Sequence, residues 1–211
     1  MPPVSDTSGL AAFQAATNVS RETLDRLEAY AELLRKWAQR INLVGGSTLD
    51  DLWHRHMLDS AQLRQHIPND AQVLVDFGSG AGFPGLVLAI MGVPDVHLIE
   101  SNQRKGAFLR EAARITGTPV TVHSARAESL SGWKADVVTA RALAPLPILL
   151  EYAAPFVSPS TLCLFLKGRR VDDELTETQK RWNITYDIFS SLTDPEGSIV
   201  RLEAISRVDP R

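Results

Sequence analysis

The sequence holds one cysteine, Cys163, in 211 residues. A single thiol cannot close an internal disulfide, and it excludes a zinc site built on two or more cysteines. Long apolar runs are also missing. No stretch reaches about 18 uninterrupted apolar residues, so no transmembrane helix is expected. Met1-Pro2-Pro3-Val4-Ser5-Asp6 offers neither a basic stretch nor an apolar core, so no secretory signal is expected and a cytoplasmic location is. Excess positive charge is absent: 22 Lys and Arg face 25 Asp and Glu, for a net charge of −3. That excludes a strongly basic nucleic-acid coat, but not an RNA substrate met through a local patch. Lysine is scarce, with 5 against 17 arginines. Arginine suits bidentate phosphate contacts, although biased genome composition produces the same ratio.

What is present is ordinary for a soluble globular chain, with 44% hydrophobic and 22% charged residues. The length suits one domain with an added subdomain. Residues 1–19 mix Pro, Ser, Thr, Gly and Ala, and read as a mobile tail with at most a short helical turn at Gly9 to Ala16. From Ser20, a plausible N-cap, Leu24, Leu27, Ala31, Leu34, Ala38 and Ile41 recur at helical spacing. A second helix is expected from Ser47, with Asp50 as capping partner, to just before Pro68. Residues 20–69 thus form a helical segment expected to pack on a domain spanning 70–211.

In that domain the rhythm becomes strand, loop, helix. Strands are expected at Val73–Phe77, His97–Glu100, Val120–His123, Asp136–Ala140, Thr161–Leu166, Ile184–Phe189 and Ser198–Ser206. Helices are expected at Pro84–Met91, Asn102–Thr116, Pro145–Phe156 and Asp172–Trp182. The fold class is α/β: a mostly parallel seven-stranded, Rossmann-like sheet with helices on both faces. Such sheets bind ligands beyond the carboxyl ends of their strands. Chemistry is therefore expected at Gly78, Glu100, Ser124 and Arg141.

The central motif runs from Asp76 through Gly78, Gly80, Gly82, Phe83 and Pro84 to Gly85. Two readings compete. Gly80, Gly82 and Gly85 fit the dinucleotide fingerprint. Asp76, Gly78, Gly80 and Gly82 fit the acid-x-G-x-G-x-G motif of S-adenosylmethionine methyltransferases. The strand ends at Phe77, which makes Gly78 the first glycine of the turn. An acid at Asp76 would repel a pyrophosphate but suits a cationic sulfonium and its amino group, so the methyl donor is favoured. Glu100 can accept hydrogen bonds from ribose hydroxyls, or can be a solvated acid. Ala127-Glu128 stand where such a sheet borders an adenine, although Ala-Glu is a common pair.

Methyl transfer depends mainly on holding nucleophile and donor together. Attack at a pyrimidine carbon needs a thiolate, and Cys163 lies inside an expected strand. Amine methylation usually goes with an Asn/Asp-Pro-Pro-Tyr/Phe segment, where this chain has Thr139-Ala140-Arg141-Ala142. No general base stands out. Guanine N7 fits that pattern, because its lone pair is free at neutral pH. Arg141 and Lys167 point to the expected pocket, with ion pairs to neighbouring carboxylates as the bland alternative. Trp53-His54-Arg55-His56, with Arg35, Lys36 and Arg40, could face RNA. Equally, Trp53 fits a buried stripe, and Asp59 could pair with Arg55 or His56 along a helix.

These residues together resemble the glucose-inhibited division protein B family. The resemblance rests on Val75 to Gly85, Arg40 to Leu43, Arg55 to Ser60, Glu100 to Lys105 with Phe108-Leu109, Arg126 to Glu128, Arg141-Ala142 and Leu166 to Gly168. It implies a class I methyltransferase fold, S-adenosylmethionine as donor and no metal. It implies N7 of guanine 527 of 16S rRNA as acceptor, presented as rRNA, a 30S subunit or an assembly intermediate to a monomeric enzyme. By position it places the donor at Gly78, Phe83, Ala127, Glu128 and Arg141, beside Asp76, Gly80, Gly82 and Glu100. Arg141 is the candidate for positioning, and Arg55, His56 and Lys167 for the acceptor. A small-molecule methyltransferase, a cofactor-binding module and a dinucleotide oxidoreductase are the other classes that the residues leave open.

Overall fold

A computed structural model describes residues 7–208, the side chains of Thr7 and Ser47 aside. Residues 1–6 of the expected tail and the last three residues lie outside the described set.

Helix α1, Thr7–Thr17, replaces most of the expected tail. Its alanines favour helix, and Leu10 and Phe13 share one face. Phe13 is fully buried, edge-on to Trp53 with ring centroids 5.2 Å apart. Helix α2, Arg21–Ala38, starts as its sequence suggests, with Ser20 Oγ accepting from the Thr23 amide at 3.1 Å. It buries Leu24, Leu27, Tyr30, Ala31, Leu33 and Leu34.

The expected second helix is not a single helix. A 3-10 turn at Gly46–Thr48 precedes a π-helical turn, Trp53–Leu58, then α3, Asp59–Ala61, and a 3-10 turn, Gln62–His66. The wide π turn buries Trp53, His56, Met57 and Leu58 together. That set would not fit one face of a regular helix. Trp53 is therefore core, not an RNA-stacking aromatic.

The strands are β1 Val73–Phe77, β2 Asp95–Ile99, β3 Val120–His123, β4 Val137–Arg141, β5 Leu162–Lys167, β6 Trp182–Ser190 and β7 Ser198–Arg207. Between them lie α4 Gly85–Ile90, α5 Gln103–Thr116, α6 Leu146–Ala153 and α7 Val171–Gln179. The sheet order is β3-β2-β1-β4-β5-β7-β6, with β7 antiparallel to both neighbours. The order reverses between β1 and β4, which places a crevice at their carboxyl ends. Boundaries shift slightly from expectation. Glu100 follows its strand, α7 stops at Gln179, and Trp182 opens β6.

Two cores cover the two faces of the sheet. One joins α1, α2, the π turn, α4 and α5 to Leu74, Val96 and Leu98. The other packs α6 and α7 on Val75, Phe77, Val138 and Phe165. Because side chains alternate along a strand, Asp76 points with Leu74 towards the N-terminal helices. No described helix is long and apolar enough to cross a membrane.

Phe13→Ala should lower unfolding free energy by about 3 kcal/mol or more in urea denaturation. A loss under about 1 kcal/mol would mean that α1 contributes nothing to the core.

Candidate active site

The glycine loop is built around a buried acid. Asp76 is fully buried on β1. Its Oδ1 accepts from Thr139 Oγ1 at 2.8 Å, and its Oδ2 accepts from the Gly85 amide at 3.3 Å. The parallel register sets Asp76 opposite Thr139 on β4. Burial pushes its pKa up to about 6, against the opposing pull of these hydrogen bonds. The carboxylate therefore ties β1 to β4 and to the start of α4 from beneath the loop. It does not face the cavity where sequence reasoning placed a direct partner for the donor.

Gly78 has φ +64° and Gly82 φ +104°, conformations that favour glycine. A Cβ at Gly78 would lie 2.7 Å from Leu143 Cδ1. Beside the loop, Glu100 accepts from the Gly80 amide at 2.9 Å and the Asn102 amide at 2.7 Å. Asn102 caps α5.

Above these strand ends lies a cavity of about 350 Å³. It gathers Gly78, Gly80, Glu100, Ala127 and Glu128 from the expected set, with Lys105, Leu143 and Tyr152 in addition. Sequence reasoning missed the last three. Periodicity marks α5, which carries Lys105, and apolar composition marks α6, which carries Tyr152, but neither shows which residue reaches a cavity, and Leu143 lies in the loop before α6.

A second cavity of about 360 Å³ lies beyond β4 and β5. Asp59, Arg141, Lys167, Arg170, Glu174 and Asp194 help to line it, and Ala142 borders both cavities. Ala142 has φ +51°, a left-handed conformation that costs a non-glycine residue about 1 kcal/mol. Such strain is commonest at functional sites.

Arg141 is the hub between the segments. Its Nη1 donates to Asp59 Oδ2 at 3.0 Å and to the Arg55 carbonyl at 3.1 Å. Its Nη2 donates to His56 Nδ1 at 2.8 Å. The guanidinium lies 4.9 Å from the Phe83 ring centroid, and His56 stacks on that same ring at 5.0 Å. Since Nδ1 accepts, the neutral imidazole carries its proton on Nε2. That proton goes to Thr48 Oγ1 at 2.7 Å, whose own hydrogen goes to the Gly45 carbonyl. Asp59 Oδ1 accepts from Thr193 Oγ1 at 2.8 Å and from Gln62 Nε2 at 2.9 Å. The loop between β6 and β7 thereby joins the same network.

The expected acceptor residues sort differently. His56 is buried inside the hub, Arg55 is exposed and contributes its carbonyl, and Lys167 pairs with Glu174 at 2.6 Å. Lys167 also donates to the Ala144 carbonyl at 3.0 Å. Asp59 pairs with neither helix neighbour, because the π turn swings it onto Arg141. Phe83 and Gly82 sit behind the loop, against Arg141 and Tyr30 respectively. Cys163 is fully buried, and burial pushes its thiol far up, so it supplies no thiolate.

Burial and the nearby Arg141 and Arg55 charges hold His56 down to about 3. A lowered histidine pKa contributes stability above the unfolded value near 6.5, and that stability is lost as pH falls. Between pH 7 and pH 5 the wild type should lose about 2 kcal/mol relative to His56→Gln. Parallel urea titrations at both pH values would show it, and equal slopes for the two proteins would contradict it.

Residues 23–198 match the family model described as rRNA small subunit methyltransferase G. The chain is 60% identical over 194 residues to the ribosomal RNA small subunit methyltransferase G of Rhodospirillum centenum, covering 92% of this chain and 90% of that one. Among solved structures it resembles a ribosomal protein L11 methylase from Lactobacillus delbrueckii subsp. bulgaricus. The TM-score is 0.55 at 15% identity, over 72% of this chain and 77% of that one. It also resembles M. jannaschii TYW2, solved in complex with AdoMet. There the TM-score is 0.54 at 19% identity, over 71% and 77% of the two chains. At those identities the two structures establish the fold alone, that of class I methyltransferases. The extent of the sequence match goes further: the chain belongs to the rRNA small subunit methyltransferase G family.

Proposed function

We propose that the protein transfers a methyl group from S-adenosylmethionine to N7 of guanine 527 of 16S rRNA. The observation that carries the choice of atom is the pairing of the two part-buried carboxylates of the second cavity; the third, Asp194, is exposed and accepts the Glu196 amide. Asp59 is held by Arg141, and Glu174 by Lys167. Acids engaged in this way suit an acceptor that needs no proton removed. Guanine N7 is such an acceptor.

The first cavity fits the donor. When bound there, S-adenosylmethionine supplies a methyl group on a cationic sulfur. Gly78 and Gly80 present a backbone that a ligand can approach closely. Glu100 has lone pairs left after holding Gly80 and Asn102, and these accept ribose hydroxyls. Ala127 and Tyr152 offer an apolar wall for the adenine. Asp76 acts on the donor through the loop, by fixing Gly85 and the end of β1.

The second cavity receives the guanine. Its lone pair on N7 forms the new carbon–nitrogen bond in line with the breaking carbon–sulfur bond, and the base leaves with one more positive charge. Ala142, common to both cavities, is where base and donor meet. Arg141 keeps that segment of β4 in place by its ties to Asp59 and His56. Arg170 is exposed at the cavity edge, and its guanidinium has no hydrogen bond or ion pair among the described residues. It supplies a phosphate contact to the RNA.

Tritiated methyl transfer to 16S rRNA and to 30S subunits from a strain lacking the modification tests this. Borohydride and aniline cleavage should map the label to guanine 527 alone. Label at another base, or none in either substrate, would overturn the assignment. Glu100→Ala should weaken S-adenosylmethionine binding at least about tenfold, or ~1.4 kcal/mol. Unchanged affinity in calorimetry would remove Glu100 from the donor site.

A further inference from the structure

One buried hydroxyl outside both cavities touches the glycine loop. Tyr30 lies midway along α2 and is fully buried. Its hydroxyl donates to the Ala81 carbonyl, between Gly80 and Gly82. A Cβ at Gly82 would lie 2.8 Å from that same hydroxyl oxygen, so the loop backbone sits directly on it. The ring is held by Phe83 and Phe108, with centroids at 5.6 and 6.2 Å.

The other loop contacts leave the Ala81 carbonyl to Tyr30. The Gly82 and Phe83 amides close back on the Ser79 carbonyl, the Gly80 amide is taken by Glu100, and the Ser79 hydroxyl is taken by the Asp76 carbonyl. The Ala81 carbonyl meets the Tyr30 hydroxyl, neither residue lines either cavity, and Ala81 is buried. A buried carbonyl needs a donor. Without Tyr30 it would turn to find one, and a peptide rotation at Ala81 would carry the neighbouring glycines with it.

We infer that Tyr30 is a positioning residue of the donor site, its hydroxyl locking the Gly78–Gly82 turn in the shape that receives S-adenosylmethionine. The inference rests on the donor cavity assigned above. It gives the N-terminal helical segment a part in donor affinity, besides its share of the core. Burial raises the Tyr30 hydroxyl well above the usual tyrosine value, so the donated proton stays in place across the working pH range. The effect belongs in binding and not in the chemical step, because Tyr30 borders neither cavity.

Tyr30→Phe deletes the hydroxyl and keeps the ring. Titration calorimetry should show S-adenosylmethionine binding at least about fivefold weaker, while kcat at saturating donor and KM for RNA stay within about twofold. Phe108→Leu is the control: it loosens the packing of the same ring and leaves the Ala81 carbonyl bonded. It should lower Tm with donor affinity within about twofold of wild type. Equal donor affinity in Tyr30→Phe and wild type overturns the inference, as does an equal weakening in both variants. A wild type that binds no S-adenosylmethionine overturns the donor assignment itself, and this inference with it.

Discussion

The guanidinium of Arg141 is the point on which the arrangement depends. It sits at the end of β4, where the sheet order reverses, and its hydrogen-bond partners all come from a segment more than 80 residues earlier. Taking a guanidinium and a carboxylate out of water is costly, and the pair is stable only where the remaining hydrogen-bonding groups are met. Here they are. Asp59 also receives Thr193 and Gln62, and Gln62 in turn accepts from the Leu192 amide at 2.8 Å. One ion pair therefore ties three pieces of chain: α3 directly after the π turn, the end of β4 and the loop between β6 and β7. These three pieces, with the end of β5 and the start of α7, wall the second cavity.

The proposed donor side follows the same logic with different groups. Asp76 fixes the loop from below, Glu100 from the side and Tyr30 from behind. None of these contacts needs the ligand to form. A site already in shape spends less binding free energy on ordering. Burial holds the Asp76 carboxyl up at about 6, against its hydrogen bonds and the field of Arg141. It costs stability for the sake of geometry, as functional sites often do.

Much of this was legible in the residues. The short apolar run before Gly78 marks β1, and the spaced glycines mark a turn with left-handed backbone. Alternation of strands and helices gives the sheet and therefore the side on which the ligand lies. Glu100, Ala127 and Glu128 do come together with Gly78 and Gly80. What was not legible depends on contacts between distant elements. Phe13 reads as one aromatic among alanines until Trp53 is placed beside it. The 47–66 segment has helical composition, but winding as a π turn responds to burial on more than one side. Periodicity put Asp59 within reach of Arg55 and His56 and could not reveal Arg141 as its partner. Asp76 was assigned to the donor because it ends a strand, yet its burial follows from strand parity and from α4 lying over it. Tyr30 fell outside the stripe chosen for α2, and nothing local signals a hydroxyl aimed at a loop 51 residues on.

The most direct test of this account is a double-mutant cycle on Arg141→Met and Asp59→Leu, read by urea unfolding. A buried, hydrogen-bonded pair that ties three segments should show a coupling of at least about 2 kcal/mol, with the double variant more stable than either single one. A coupling below about 0.5 kcal/mol, with the two single losses simply adding, would contradict it and leave Arg141 as one surface charge among many.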